Sequence, residues 1–205
     1  SQIAEVSKEK NLMVITDEVY KSLVYNGNMR PKSIASLPDM KERTIFINSL
    51  SKEFCMTGWR IGYVAANREI ITAMTKLQEN VAACAPLPSQ YAAIEALRTD
   101  VDYSIEMATV FKNRRDVLME TLSHTKKIKP ATVDATFYAM IDISKTDMKS
   151  EEFAYELLKR KQVAVVPGIA YGKICDDFIR IAFTLDESKI REGMNRLVTF
   201  VEELN

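Results

Sequence analysis

Between Thr44 and Ala66 two short apolar runs, Thr44-Ile45-Phe46-Ile47 and Ile61-Gly62-Tyr63-Val64-Ala65-Ala66, bracket a polar stretch, Asn48-Ser49-Leu50-Ser51-Lys52 … Thr57-Gly58-Trp59-Arg60. Runs of this length without polar alternation fit strands covered on both faces. Leu12-Met13-Val14-Ile15-Thr16 is a third run of the same kind. Strands buried on both faces need helices over them. The chain supplies an opening helix that ends near Asn11, with Ile3, Val6 and Ser7 on one face, and a periodic stretch from Arg68 to Val81. Helix, strand, loop, strand is the rhythm of an α/β layer. Gly27 and Pro31 mark the loop after the first strand.

Pro86 and Pro88 interrupt the helical pattern, and Ser89 is placed to cap a helix through Leu97. A long stretch charged along one side, from Val101 to Leu122, follows and is closed by Lys126-Lys127-Ile128-Lys129-Pro130. The last third changes character. Phe137 to Ile143, Val163 to Val166 and Phe178 to Phe183 read as strands. Ser150 to Lys161 reads as a helix with Phe153, Leu157 and Leu158 on one face, and Thr184 with Glu187 as a capping box for a final helix. This predicts an α/β part over residues 1–100, a connecting helix over 101–125 and a small α+β domain over 126–205.

Bulk properties exclude several functions. Lys plus Arg number 28 and Asp plus Glu number 28, so no net charge favours nucleic acid or an anionic membrane. No apolar run approaches the roughly 18 residues of a membrane span. The three cysteines are far apart and form no CxxC pair, which fits a reduced, cytoplasmic compartment. The single histidine, His124, argues against a histidine metal site or triad. The chain opens on Ser1 with a helix already in progress, as a piece of a longer polypeptide would.

Three places carry residues suited to chemistry. Lys52 lies just past a strand between hydroxyl residues, with Arg60 eight positions on. That combination suits a lysine amine condensing with a carbonyl, and a phosphate held by Ser49, Ser51 and Arg60. Read singly, Lys52 is a surface lysine, Ser49 and Ser51 are turn residues and Arg60 is half of a surface ion pair. Gly58 and Gly62 permit close backbone approach, and Trp59 reads as packing. Asp17-Glu18-Val19-Tyr20 ends the first strand, where ligands bind in parallel sheets. Alone, Asp17 reads as a helix cap and Glu18 as solvated. Arg180 stands inside the apolar run Phe178-Ile179-Arg180-Ile181-Ala182-Phe183, where a charge is costly unless paired. A buried salt bridge is its plain structural reading.

Taken in order, D-E-x-Y at Asp17 to Tyr20, S-x-S-K at Ser49 to Lys52, G-W-R-x-G-Y at Gly58 to Tyr63, Pro167-Gly168 and Arg180-Ile181 resemble the class I/II pyridoxal-phosphate-dependent aminotransferases of fold type I. Each motif is weak singly; five in sequence are specific. The resemblance runs the whole chain and corresponds to the C-terminal half of a family subunit. It implies a partial large domain, mainly a parallel sheet with helices, followed by a smaller α+β domain. It implies that Lys52 attaches pyridoxal 5′-phosphate and, once freed by the substrate amine, moves a proton between the substrate's α-carbon and the cofactor. Asp17 would pair with the ring nitrogen and Tyr20 would donate to the phenolic oxygen. Ser49, Ser51 and Arg60 would hold the phosphate, and Arg180 the substrate α-carboxylate. Ala135 stands where the family usually has glycine, which points to an altered turn.

The implied activity is transfer of an amino group between an amino acid and a 2-oxo acid, by a homodimer with shared sites. The family's other half carries a phosphate-gripping turn, a ring-stacking aromatic and an asparagine near Tyr20, so residues 1–205 alone are expected to be poorly active. The same motifs serve C–S β-lyases of this fold, and a non-catalytic remnant of the fold is a third alternative. Between Lys76 and Arg98 no basic residue occurs. One dicarboxylate-specific branch has an arginine there, so neutral or aromatic substrates are favoured slightly.

Overall fold

A computed structural model describes residues 1–25, 31–99 and 103–204. Gly27 and Val101, assigned above to a loop and a helix start, lie outside the described residues. The chain divides into two compact units, Ser1–Met107 and Ala108–Asn205.

The first unit runs α1 (Gln2–Glu9), β1 (Val14–Asp17), β2 (Thr44–Ser49), α2 (Leu50–Glu53), β3 (Gly62–Ala65), α3 (Arg68–Ala82) and α4 (Leu87–Arg98). Its sheet has the order β1-β2-β3. β1 and β2 are parallel, with Asp17 opposite Ile47, whereas β3 returns antiparallel to β2, with Ser49 opposite Gly62. The expected mainly parallel sheet is therefore a mixed one. β2 and β3 are joined by residues 50–61, whose only α-helix is the single-turn α2, whereas a parallel return is usually made through a full crossover helix. Gly62 is required at this junction. A Cβ there would lie 2.8 Å from the Asn48 carbonyl oxygen.

The expectation that β1 is buried on both faces fails. Its residues alternate between half-buried and exposed, and Ile15 is 69% exposed. The opening helix buries Ala4 and Ser7, while Ile3 and Val6 face outward. Among the described residues no second layer covers these positions. The firm packing lies elsewhere, where Leu50, Met56 and Ala93 form a buried cluster with Phe54, Ile61 and Tyr63 against it. That cluster ties α2 to α4 and β3. The helical pattern is interrupted as expected: α3 ends at Ala82, Pro86 caps α4 and Pro88 sits in the first turn of α4, where a missing N–H costs nothing. Ser89 is not the cap. It is buried, and its hydroxyl donates to the Trp59 carbonyl at 2.7 Å.

α5 (Tyr103–Leu122) spans the division between the units. The second unit continues with β4 (Lys129–Pro130), β5 (Tyr138–Asp142), α6 (Ser150–Lys161), β6 (Val166–Pro167), β7 (Phe178–Ala182) and α7 (Glu187–Glu202). Its sheet, β4-β5-β7-β6, is antiparallel throughout. Phe153 of α6 meets Phe200 of α7 edge-on at 5.2 Å, over a core that includes Ile141, Leu157, Ile179 and Leu197. Leu158 is not on that face and is 51% exposed. The cap of α7 is Asp186, whose carboxylate accepts from the Lys189 N–H at 3.0 Å, rather than Thr184. An aspartate directly before the first helical turn outcompetes a threonine farther back.

At the turn that holds Ala135, the positive φ belongs to the next residue. Thr136 takes the left-handed backbone (φ 64°), and its hydroxyl accepts from the Tyr138 N–H at 3.2 Å.

Candidate active site

Asp17 and Ser49 are the last residues of β1 and β2, two parallel neighbours, so both end at the same edge of the sheet. One oxygen of Asp17 accepts from the Val19 N–H at 3.3 Å, which turns the chain sharply after the strand. That turn brings Tyr20 round to Lys52: the lysine Nζ lies over the Tyr20 ring, 6.0 Å from its centroid. A second link joins the same two segments. The Ser22 hydroxyl donates to Glu53 Oε1 at 2.6 Å, tying the turn that carries Tyr20 to the single-turn helix that carries Lys52. Glu18 is not solvated. It accepts from Ser33 Oγ at 2.6 Å and from Thr16 Oγ1 at 3.2 Å.

α2 is held at its start. Ser49 caps it by accepting from the Ser51 N–H at 3.1 Å, and Leu50 is buried in the cluster beneath. Lys52, two positions past Leu50, is half-buried on the other side. Behind it, buried Asn48 gives its amide N–H to the Tyr63 hydroxyl at 2.9 Å and accepts from the Ser49 N–H at 2.8 Å. Nothing in the spacing of the sequence singled out Asn48, Glu53 or Ser22. A polar residue continuing directly from the apolar run Thr44 to Ile47 is the one signal that could have found Asn48.

The phosphate candidates are arranged less simply. The Ser49 hydroxyl donates to the Ile61 carbonyl at 3.2 Å, so giving its proton to a ligand would require leaving that partner. Arg60 is exposed, adopts a left-handed backbone (φ 50°) and donates from Nη1 to the Thr57 carbonyl at 2.8 Å. Its side chain is thus folded back on its own turn. Gly58 has open space around it and provides no close approach; that role belongs to Gly62 alone. Trp59 is 46% exposed rather than packed away.

In the second unit Arg180 stands on β7 opposite Met140 of β5 and Val166 of β6. It has no salt bridge among the described residues, which removes the plain structural reading. Its Nε is buried without a hydrogen-bond partner. The guanidinium carbon lies 4.2 Å from the Tyr138 ring centroid and 4.8 Å from that of Tyr171.

The chemistry of the donor set in the first unit fits pyridoxal phosphate: a carboxylate ends β1, a primary amine lies over a phenol ring, and hydroxyl groups stand at the start of α2 just past β2. Comparisons with known proteins bear on the family. The family model described as aminotransferase class I and II matches residues 1–197. The chain is 37% identical to an aspartate aminotransferase of Sulfolobus acidocaldarius over 211 residues, covering 99% of this chain and 51% of that protein. It is 36% identical to aromatic-amino-acid aminotransferase 2 of Thermococcus litoralis, covering 98% of this chain and 52% of that one. The crystal structure of an aromatic aminotransferase from Pyrococcus horikoshii superposes with a TM-score of 0.92 at 38% identity, over 98% of this chain and 54% of its own. The chain thus spans about half the length of the curated relatives it matches. With a family match over nearly all its residues and a fold to go with it, this chain belongs to the class I and II aminotransferases, a pyridoxal-phosphate-dependent family.

Proposed function

We propose that this chain supplies the lysine-bearing part of an aminotransferase that exchanges an amino group between an amino acid and a 2-oxo acid. The observation that carries the reading is the meeting of the Asp17–Tyr20 turn with the Lys52 helix at one edge of the β1-β2 pair. Pyridoxal phosphate, when bound, supplies an electron sink for the charge left at the substrate's α-carbon. Each residue has a definite part around it. Asp17 holds a proton on the ring nitrogen through its carboxylate. Tyr20 donates to the ring's phenolic oxygen. Lys52 would hold the cofactor through its amine and, when free, would accept and return the proton of the substrate's α-carbon. Ser49, Ser51 and Arg60 bind the phosphate, which requires Arg60 to leave the Thr57 carbonyl. Arg180 takes the substrate α-carboxylate with two parallel N–H donors, which lysine cannot do.

Because the chain spans about half of its relatives' length, the activity, the homodimer and the amino-acid and 2-oxo-acid substrates are proposed for the whole protein. Aspartate and aromatic amino acids, named for the relatives above, are the first substrates to try. The test is purified whole protein assayed for amino transfer to 2-oxoglutarate and for release of pyruvate and ammonia from cystathionine, with Lys52→Ala as control. Transfer that disappears in Lys52→Ala supports the proposal. Elimination without transfer would convert the reading to a β-lyase. Neither activity, in protein that carries the cofactor, would leave a non-catalytic relative.

A further inference from the structure

We infer that Tyr138 and Tyr171 are positioning residues that clamp the Arg180 guanidinium and ready it for a carboxylate from outside the protein. The inference rests on the reading of Arg180 as the substrate-carboxylate ligand and adds to it the device that prepares it.

Three observations converge. First, Arg180 is a cation on a strand flanked by partners on both sides, yet no acidic side chain among the described residues answers it. The acids nearest in sequence are engaged elsewhere: Asp176 accepts from the Ser150 hydroxyl at 2.7 Å, and Asp177 pairs with Lys149 at 2.6 Å. Second, the two rings supply what a carboxylate would have supplied. They come from the strands on either side of β7, Tyr138 on β5 itself and Tyr171 from the 3-10 turn Gly168–Tyr171 that directly follows β6. Both lie within the range of a cation–π contact, 4.2 and 4.8 Å from the guanidinium carbon. Third, ring faces offer no hydrogen-bond acceptor in the guanidinium plane. Nε is left without a partner, and the N–H fork stays available to a planar anion.

The turn that carries Tyr171 is itself built tightly. Gly168 sits against the Cys175 and Phe178 carbonyls where no side chain fits, and the Ile169 N–H donates to buried Ser150 Oγ at 3.1 Å. An arginine immobilised in advance loses less freedom on binding, which is where the clamp gains affinity.

The test compares a carboxylate probe with a neutral isostere on the whole holoenzyme: 3-phenylpropionate against 3-phenylpropanamide, by calorimetric titration. Removing one ring, as in Tyr171→Leu or Tyr138→Leu, is expected to weaken 3-phenylpropionate about fivefold to tenfold and to leave the amide unchanged. Tyr138→Phe and Tyr171→Phe keep the ring face and are expected to stay within about twofold of the parent. For amino-acid turnover the leucine variants should raise KM more than they lower kcat. Tyr171 is 44% exposed, so its replacement reports even if Tyr138→Leu fails to fold. If the leucine variants bind the carboxylate as well as the parent while Arg180→Lys binds it poorly, the clamp is wrong and Arg180 remains the ligand. If Arg180→Lys also binds it normally, or the parent does not prefer the carboxylate, both the clamp and the reading beneath it fall.

Discussion

Gly168 and Gly193 look alike in composition and differ completely in surroundings, and replacing each by alanine tests the packing of the second unit. A Cβ built at Gly168 lies 2.0 Å from the Cys175 carbonyl oxygen and 2.4 Å from that of Phe178. Both obstacles are backbone, so no flexible side chain can move aside. Ordinary contact would require the turn and the entry to β7 to part by more than about 1 Å, which costs about 3 kcal/mol or more, at or beyond the upper end for overpacked cores. For a unit of about 100 residues that lowers the thermal midpoint by roughly 12 °C or more. Gly193 lies inside α7 with nothing within 4 Å of its would-be Cβ. Alanine there is expected to stabilise by about 0.5–1 kcal/mol, since it removes only helix-opposing backbone freedom. Urea and thermal unfolding of the two variants read the difference directly. A Gly168→Ala protein within about 0.5 kcal/mol of the parent, or a Gly193→Ala protein destabilised like Gly168→Ala, would refute the packing described for this turn.

Three further outcomes are expected. Removing the link between the Tyr20 turn and the Lys52 helix, by Ser22→Ala and Glu53→Ala, should show a coupling of about 0.5–1 kcal/mol in a double-mutant unfolding cycle, small because both groups are only half-buried; additive effects would mean that the bond is not formed in solution. Asp186 is held below the ordinary carboxylate range by the Ser188 hydroxyl and then by the Lys189 N–H, and Asp142 by hydrogen bonds from Ser144. Both are depressed in the folded state, so the stability they contribute is present above about pH 4 and is lost as pH falls through their folded values; Asp186→Asn should flatten the acid limb of stability against pH, and an unchanged limb would count against the cap. Phe153→Ala, which empties a fully buried site against Phe200, should cost about 3–5 kcal/mol by urea unfolding, and a cost under about 1 kcal/mol would contradict the core described here.

Much of the chain was legible before its structure. α6 matches its predicted span, and α3 and β7 each end within one residue of theirs, because apolar periodicity and strand composition act locally. What misled was everything set by distant partners. The run Leu12 to Thr16 is as apolar as a doubly covered strand, yet burial depends on what lies over it, and Ile15 stays exposed. The apolar run Ile61 to Ala66 carries no sign of strand direction, and β3 pairs antiparallel with β2. At the candidate site, Asp17 and Ser49 end two parallel neighbouring strands, and Lys52 lies over the Tyr20 ring. The supports went unseen, since a serine and a glutamate 31 positions apart carry no sequence signal of their hydrogen bond. Arg180 was visible as a misfit, and only coordinates could supply the two rings around it.

Which amine takes the cofactor decides whether Lys52 has the role proposed for it. The whole protein, loaded with pyridoxal phosphate, reduced with borohydride and digested, should carry the label on one peptide, the one containing Lys52, and Lys52→Ala should carry none while keeping its fold by circular dichroism. A label on Lys21 or any other lysine, or covalent retention that survives Lys52→Ala, would contradict it.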